Sequence, residues 1–252
     1  MSEFRPVLLL PHYNHIEQLR RFLPALQATG YPILVVDDGS DGDELEILRK
    51  MAALEELELV VHTTNRGKGA AVMTGFVAAA QTGYTHALQI DADGQHDPSD
   101  IVPLLERARR SPSTLVCGEP QFGADMPAAR KYGRKLTDFF VILETWTFTI
   151  RDSMCGLRVY PLAETLALLE RQRPGERMDF DIEMLVFAFW QGIELDFVKT
   201  RVKYPENGLS HFHYFRDNVK IIAMHARLLL GMFPRIPSLL MRHFRQPKWA
   251  KS

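Results

Sequence analysis

Two carboxylates follow an apolar run in residues 86–101, HALQIDADGQHDPSDI. Asp91 and Asp93 are two positions apart, and side chains at i and i+2 of an extended segment point the same way. Such a pair repels unless a cation neutralises it. Mg²⁺ and Mn²⁺ accept a few carboxylate oxygens and complete their coordination with diphosphate and water. The spacing therefore predicts a site for Mg²⁺ or Mn²⁺ at Asp91 and Asp93.

Other interpretations of this stretch can be tested on its spacing. A calcium loop that began at Asp91 would need Gly in place of His96 and Glu in place of Val102, so that loop is excluded. A solvated turn at a strand end, with Asp97 and Pro98 starting the next helix, remains open.

A second acidic segment, VVDDGSDGD, places Asp37 and Asp38 after another apolar run. A carboxylate there can accept a hydrogen bond from a base N–H or a ribose hydroxyl. The segment therefore predicts a nucleotide contact, and an ordinary turn with a helix cap is the alternative.

A glycine-rich segment, NRGKGAA at residues 65–71, begins a helical pattern. Gly67 and Gly69 leave backbone N–H groups open to an anion. The segment is not a dinucleotide fingerprint, because Val72 occupies the third glycine position, and it is not a P-loop, because no Ser or Thr follows Lys68. It predicts a general anion site.

These segments lie at the ends of apolar runs that alternate with helical patterns. The predicted strands are residues 6–10, 31–38, 57–62, 84–91 and 113–118, and the helices between them are residues 16–28, 43–56, 68–81 and 99–110. This alternation is typical of a parallel sheet covered on both faces, whose ligands bind at the carboxyl ends of the strands. The predicted fold class is therefore α/β, and the four aspartates fall at that edge.

Beyond residue 118 the pattern is looser. It predicts a helix over residues 128–149, a strand over 155–161, a buried helix over 180–192, a strand over 193–204 and a basic helix over 214–232. No repeat or low-complexity linker divides the chain. We therefore expect one α/β domain over residues 1–212 and a C-terminal helical segment over residues 213–252.

Charge is distributed unevenly along the 252 residues, which carry a net charge of −1. From Arg201 to the end, ten Lys and Arg oppose Glu206 and Asp217, so this part carries +8 and the first 200 residues −9. The basic end predicts an anionic neighbour. Nucleic acid is excluded, because the acidic strand ends would repel its phosphates in the absence of metal.

The C-terminal segment is expected to lie on a membrane surface rather than to cross it. Its longest apolar stretch, residues 221–241, is interrupted by His225, Arg227, Pro234, Arg235 and Pro237. Five apolar residues are expected to contact an anionic bilayer, namely Ile221, Ile222, Leu228, Leu229 and Leu230. Packing of the same helix on the core is the alternative.

The cysteines bear on the cellular compartment. Cys117 and Cys155 have no metal-ligand spacing, and the N-terminus has no signal peptide pattern. We therefore expect reduced thiols and a cytoplasmic protein, peripheral on the inner face of the membrane.

Taken in order, the segments resemble family 2 glycosyltransferases with the GT-A fold, in particular the polyprenyl-phosphate mannose and glucose synthase branch. Six blocks between Pro11 and Phe212 carry the resemblance: PHYNH, VVDDGSDGD, NRGKGAAVMTGF, DADGQHDP, DSMCGLRVY and YPENGLSHF. The segment SHFHYFRDN and its helix are similar to a bacterial subgroup associated with aryl polyene pigment clusters.

The resemblance implies an inverting transferase that takes a hexose from a UDP or GDP sugar. The implied nucleotide-sugar contacts are Pro11, Tyr13, Asp37, Asp38, Gly67, Lys68, Asp91, Gln95 and His211. The implied metal ligands are Asp91 and Asp93, with Gln95 assisting. His211 stands where relatives carry a lysine, and a structural histidine is its alternative.

Inversion at a hydroxyl acceptor requires a base on the face opposite the leaving group. The candidates are Asp152 in DSMCG and Asp181 in MDFDIE. Each could instead cap a helix or pair with an arginine. An acceptor phosphate would need no base.

Two departures from the relatives affect the expected ligands. His15 stands where many relatives have Glu in the nucleotide segment. After the fifth strand, relatives with lipid-phosphate acceptors carry GSRY, whose arginine clamps the phosphate, whereas this chain reads GEPQ with Glu119 and Pro120. We therefore expect a lipid-like or amphiphilic acceptor with a hydroxyl group, and polyprenyl phosphate is the alternative.

Two other classes remain to be compared. A nucleotidyltransferase should carry a basic glycine-rich loop directly after the first strand, where this chain has PHYNH. A noncatalytic nucleotide-sugar binder could lose the metal-binding pair, which is intact here. A glycosyltransferase fits both observations.

Overall fold

The structure is a computed structural model that describes residues 3–92, 94–122, 128–202 and 214–245. Two predicted site residues, Asp93 and His211, lie outside these ranges, so their predicted roles remain predictions.

A seven-stranded sheet forms the centre of the molecule, in the order β3-β2-β1-β4-β6-β5-β7. Its strands are β1 (Pro6–His12), β2 (Ile33–Asp37), β3 (Glu58–Val61), β4 (His86–Gln89), β5 (Thr114–Gln121), β6 (Arg158–Pro161) and β7 (Glu194–Arg201). Strand β6 runs antiparallel to β4 and β5, and the other pairs are parallel. The predicted, mostly parallel α/β sheet is confirmed.

Helices cover both faces of this sheet. They are α1 (Ile16–Gln27), α2 (Gly42–Leu54), α3 (Lys68–Gln81), α4 (Ile101–Arg110), α5 (Ala128–Thr145), α6 (Leu162–Leu169), α7 (Phe180–Gln191), α8 (Tyr214–Met232) and α9 (Ile236–Arg245). In β1, Val7 and Leu9 face α3, α6 and α7, while Leu8 and Leu10 face α1 and α4. The apolar runs are continuous because both faces of each strand are buried.

The order of the strands reverses direction between β1 and β4. Successive strands extend from β1 to β3 in one direction, and β4 lies on the other side of β1. Loops at the carboxyl ends of the strands diverge where the order reverses, and ligands of open sheets bind there. The predicted site residues after β1, β2 and β4 therefore meet at one edge.

Helix α8 packs on the same core as α7. Leu228 is buried and Ile221 and Leu229 are partly buried, so only Ile222 and Leu230 are exposed among the five residues expected to contact a bilayer. The expectation that all five face a membrane is wrong, because the core takes one side of the helix. The domain boundary at residue 212 remains a prediction, since residues 203–213 are not described.

Three other differences from the predicted elements have local causes. Helix α5 ends at Thr145 because Trp146 adopts a φ of 53°, outside the helical range. Helix α9 lies beyond the last predicted helix, because Pro234 and Pro237 are typical of a chain that leaves a helix. Pro237 is tolerated because it lies in the first turn of α9, where a backbone N–H has no partner within the helix. Helix α6 follows β6 directly at Leu162, and its short, largely apolar sequence shows no clear helical period.

Candidate active site

A charged cluster lies at the carboxyl end of β4. The ammonium of Lys68 donates to the carboxylates of Asp91 at 2.8 Å and Asp181 at 2.9 Å. Gln89, the last residue of β4, donates to the other oxygen of Asp181 at 2.9 Å. One connected group thus joins three residues that are far apart in sequence. Lys68 and Asp91 are predicted contacts of the nucleotide sugar, and Asp181 is a candidate base.

The charges in this cluster stabilise one another. Burial alone would lower the pKa of Lys68, but Asp181 and Asp91 raise it above its ordinary value. Burial would raise the pKa of Asp181, but Lys68 and then Arg158 lower it. Lys68 is therefore a fixed cation, and the Asp181 carboxylate is ionised and weakly basic.

The loop before α3 is held by Asp38. Its carboxylate accepts hydrogen bonds from the backbone N–H groups of Arg66 at 3.0 Å and Gly67 at 2.6 Å, and from Nδ1 of His62 at 2.8 Å. Gly67 has a φ of 112°, and a Cβ there would collide with the carbonyl of Glu176. Asp38 is buried, so this carboxylate positions the loop that carries Lys68.

Asp37 is engaged in a similar way. It accepts from Nδ1 of His12 at 2.9 Å, from Oγ of Ser40 at 2.5 Å and from the Ser40 N–H at 2.9 Å. Burial raises the pKa of Asp37, but these hydrogen bonds outweigh it and hold the pKa below the ordinary value. The structure therefore shows that both predicted nucleotide carboxylates tie strand ends to loops. Their contact with a nucleotide remains a prediction.

The DSMCGLRVY block closes the cluster from the β6 side. A Cβ on Gly156 would lie 2.8 Å from Nζ of Lys68 and 3.0 Å from Oδ2 of Asp91. Arg158 is fully buried and donates to the backbone carbonyls of Asp181 at 2.6 Å and Ser153 at 2.8 Å. Arg158 thus fixes the start of α7 against the DSMCG loop, and Gly156 leaves room for the Lys68 side chain.

Asp152 belongs to a second polar group beside this cluster. Its Oδ1 accepts from the backbone N–H groups of Met154 at 2.9 Å and Cys155 at 2.7 Å, and its Oδ2 lies 3.3 Å from Arg134. Asp138 is near enough for its pKa to be raised to about 6, first by burial and then by the charge of Asp152. The arginine pair foreseen as an alternative for Asp152 is therefore present.

The residues at the end of β4 are chemically suited to a divalent cation. Nζ of Lys68 lies 2.8 Å from both carboxylate oxygens of Asp91, but its hydrogen bond goes to Oδ2. Oδ1 is buried and accepts no hydrogen bond, so this oxygen keeps lone pairs for a cation. Within the described ranges, which omit Asp93, no three His, Cys, Asp or Glu side chains form a metal site. Metal binding here would thus depend on Asp93 and on oxygens of a bound diphosphate.

The remaining predicted contacts lie along the same edge. Pro11 is in β1 opposite Val36, Tyr13 is partly exposed just beyond it, and Gln95 is partly buried. Sequence reasoning missed five residues, namely His12, Gln89, Arg134, Gly156 and Arg158. Four of them stand inside segments quoted above, namely HALQIDADGQHDPSDI, PHYNH and DSMCGLRVY, but nothing in their spacing indicates burial or a partner.

Comparison with known proteins identifies the family. Residues 8–171 match Glycosyl transferase family 2. A UDP-N-acetylglucosamine–dolichyl-phosphate N-acetylglucosaminyltransferase of Methanococcus voltae is 26% identical over 221 residues, which cover 81% of this chain and 87% of that protein. An undecaprenyl-phosphate mannosyltransferase of Micrococcus luteus is 35% identical over 117 residues, which cover 45% of this chain and 47% of that protein.

Solved structures share the fold. Glucosyl-3-phosphoglycerate synthase from Mycobacterium tuberculosis superposes with a TM-score of 0.63 at 17% identity, over 92% of this chain and 79% of that one. S. aureus TarS in complex with UDP-GlcNAc gives a TM-score of 0.58 at 17% identity, over 96% of this chain and 73% of that one. The GT-A fold is therefore confirmed. Because the family match spans more than half of the chain, this protein belongs to glycosyl transferase family 2 and is a glycosyltransferase.

Proposed function

We propose that this glycosyltransferase moves a sugar from a nucleoside diphosphate sugar to a lipid phosphate, with inversion at the anomeric carbon. The observation that carries the proposal is the cluster of Lys68, Asp91 and Asp181 at the carboxyl end of β4. It combines a fixed cation for a departing diphosphate with a carboxylate that can share a metal ion.

The donor side follows from the charges of the site. Lys68 and the backbone N–H groups of the loop before α3 would stabilise the charge that grows on the leaving diphosphate. Asp181 and Gln89 would orient Lys68 for this task. Mg²⁺ or Mn²⁺ at Asp91 and Asp93 would supply further neutralisation of the diphosphate.

A UDP sugar is the first donor to test. The Methanococcus voltae relative is named for UDP-N-acetylglucosamine, and S. aureus TarS was solved with UDP-GlcNAc. GDP sugars are the second choice, because the sequence contains no residue that selects uracil over guanine by its type alone.

A phosphate acceptor is supported by the state of the two candidate bases. Asp181 is ionised and bound by Lys68 and Gln89, and Asp152 is bound by two N–H groups and Arg134. Both oxygens of each carboxylate are occupied by these partners, so neither side chain has the free oxygen that removal of a hydroxyl proton requires. An ionised phosphate attacks without a base: its oxygen bonds to the anomeric carbon while the bond to the diphosphate breaks. The two sequence relatives above are named for lipid phosphates.

A lipid with a hydroxyl group is the second candidate acceptor. Glu119 and Pro120 stand in β5 where the resembling lipid-phosphate enzymes place a phosphate-clamping arginine. In that reaction Asp152 or Asp181 would have to release a present partner before it accepts the proton.

Either acceptor is a membrane lipid, so we expect peripheral association at the cytoplasmic face. Among the described residues, no helix has both the length and the apolar character needed to cross a bilayer. The +8 charge of residues 201–252 supports attraction to anionic lipid.

Transfer by the purified protein tests the proposal. UDP-GlcNAc, UDP-glucose and GDP-mannose are each incubated with undecaprenyl phosphate or undecaprenol in detergent, with Mg²⁺, with Mn²⁺ or with EDTA. We expect a metal-dependent sugar phosphate lipid by mass spectrometry and an inverted anomeric centre by NMR. Product only from undecaprenol selects the second candidate. Binding of the donor, seen as thermal stabilisation, without transfer to either lipid indicates a noncatalytic binder.

A further inference from the structure

Helix α5 carries an apolar stripe on its exposed side. Tyr132, Leu136, Phe139 and Leu143 are 72%, 59%, 54% and 39% exposed. They are spaced four, three and four residues apart, so they line one face of the helix. We name these four residues the α5 stripe.

The opposite face of α5 belongs to the site and the core. Arg134 contacts Asp152, and Asp138 contacts Ser153 through a 3.4 Å hydrogen bond. Val141 and Glu144 are buried, and Glu144 pairs with His225 of α8 at 2.8 Å. Apart from Val141, the inward side chains named above are polar, whereas four large apolar side chains face outward, which differs from an ordinary surface helix.

Two cations are exposed on α5 and in the segment that follows it. Lys135 is exposed on α5 and Arg151 is exposed beyond its end. The two acidic residues of α5, Asp138 and Glu144, lie on the inward face. An apolar stripe on a helix that exposes a lysine and turns both of its own carboxylates inward is complementary to an anionic lipid surface.

We propose that the α5 stripe is the surface on which the enzyme docks to an anionic bilayer, with α5 parallel to the membrane plane. This inference rests on the proposed function and deepens it. Docking in this orientation brings the Arg134 and Asp152 side of the helix to the level of the lipid headgroups. The site then meets its lipid acceptor without extracting it from the membrane.

A second copy of the chain is a poorer occupant of the same face. A twofold dimer would place each stripe against its own copy and would bring the exposed Lys135 of both chains into one interface. Like charges near an interface oppose association. An anionic membrane carries the opposite charge.

Flotation with lipid vesicles tests this proposal in the absence of donor and acceptor. Leu136→Glu/Phe139→Glu is compared with Leu54→Glu/Val102→Glu, which alters exposed apolar residues on α2 and α4 across the sheet. On phosphatidylglycerol vesicles we expect the stripe variant to bind about tenfold or more weakly than wild type, since it loses apolar contact and gains charges repelled by the lipid. The control variant should bind like wild type.

A fluorescent probe gives a second readout. Phe139→Cys labelled with an environment-sensitive dye should show a blue shift and quenching by brominated lipid, whereas labelled Leu54→Cys should not. The two native cysteines are buried, so labelling is directed to the new thiol.

Several outcomes would overturn the proposal. One is equal vesicle binding by wild type and the stripe variant. Loss of binding in Ile222→Glu/Leu230→Glu of α8, with binding by the stripe variant unchanged, would place the docking surface on α8 instead. Another is a dimer in solution that the stripe variant disrupts. No binding of wild type at low salt would also refute it. Because these assays contain no substrate, they are independent of the proposed reaction. The stripe variant should retain transfer to acceptor in detergent and lose transfer to acceptor in vesicles.

Discussion

The ammonium of Lys68 lies 2.8 Å from the carboxylate of Asp91. Asp91 is thus already neutralised by a cation that belongs to the chain itself. A divalent ion that binds before the donor has to compete with Lys68. A donor diphosphate offers Lys68 a new anionic partner, so metal and donor should bind together more tightly than either binds alone.

Removing this ammonium should strengthen metal binding in the absence of donor. We expect Lys68→Met to bind Mn²⁺ about tenfold or more tightly than wild type, because a unit charge about 4 Å away contributes about 1 to 4 kcal/mol at effective dielectric constants between water and a protein surface. Electron paramagnetic resonance of free Mn²⁺ measures this without any turnover. Transfer itself should be lost.

Two further variants make this result interpretable. Lys68→Arg keeps the charge and should bind Mn²⁺ like wild type, and Lys50→Met, which removes an exposed lysine paired with Glu46, should also be unchanged. Equal Mn²⁺ affinity of folded Lys68→Met and wild type would show that Lys68 does not compete for Asp91.

Asp93 should be required for transfer although it lies outside the described residues. We expect Asp93→Ala to lower turnover by about a hundredfold or more, because the proposed metal loses one of two protein ligands. Circular dichroism and the melting temperature should stay near those of wild type. Turnover within about threefold of wild type, with metal still required, would remove Asp93 from the site.

Gly156 should matter for chemistry more than for stability. In Gly156→Ala the new methyl group would lie 2.8 Å from Nζ of Lys68 and 3.1 Å from Nε2 of Gln89. These are the ends of flexible side chains, so they can move aside and the fold persists, but Lys68 then leaves its position. We expect turnover to fall by about tenfold or more with a small change in melting temperature. Gly133→Ala, whose Cβ meets nothing within 4 Å, is the matched control. Equal activity of the two variants would contradict this role for Gly156.

The sequence predicts the sheet and the edge of the site for one physical reason. Buried parallel strands must be apolar on both faces, so β1 to β5 stand out as apolar runs, and polar residues appear where each strand ends. That pattern located Asp37, Asp38 and Asp91 at one edge. The family blocks located Lys68.

The partners of these residues could not be predicted, because they depend on tertiary contacts. Lys68 meets Asp181 only because β6 and α7 return to β4, and no spacing in the chain encodes a contact over 113 positions. The exposed stripe of α5 was missed for a related reason. Apolar residues that repeat with the period of a helix normally indicate its buried face. In α5, however, Arg134 and Asp138 occupy the buried side.

Substitution of the two candidate bases should distinguish the acceptors. If a lipid phosphate is the substrate, Asp152→Asn should slow its glycosylation by less than about tenfold, because no proton has to be removed. If a lipid alcohol is the substrate, Asp152→Asn should lower turnover by about 10² to 10⁴, because a general base is lost. Asp181→Asn should slow both reactions equally, because Asp181 orients Lys68 for the diphosphate in either case. The measured quantity is the ratio of turnover with undecaprenyl phosphate to turnover with undecaprenol. A ratio that changes in Asp181→Asn and not in Asp152→Asn would identify Asp181 as the base.

Asp138 should make the protein less stable as the pH rises. Its pKa is raised from 3.8 to about 6, chiefly by burial and then by the charge of Asp152. The folded state therefore holds this proton more tightly than the unfolded state does. The resulting stabilisation is fully present below about pH 4 and is lost as the pH rises through about 6.

Replacing Asp138 with Asn should remove this dependence. Asn stays neutral and can still accept the hydrogen bond from Ser153, so Asp138→Asn should be more stable than wild type at pH 8. We expect a gain of about 1 kcal/mol, well below the full value of the pKa shift because water screens a group that is only partly buried. For a chain of this size that corresponds to roughly 2 to 4 °C in melting temperature. Calorimetry at pH 4 and pH 8 measures the effect, and the two proteins should melt together at pH 4. A gain of the same size at both pH values would mean that the substitution acts through packing rather than through the charge of Asp138.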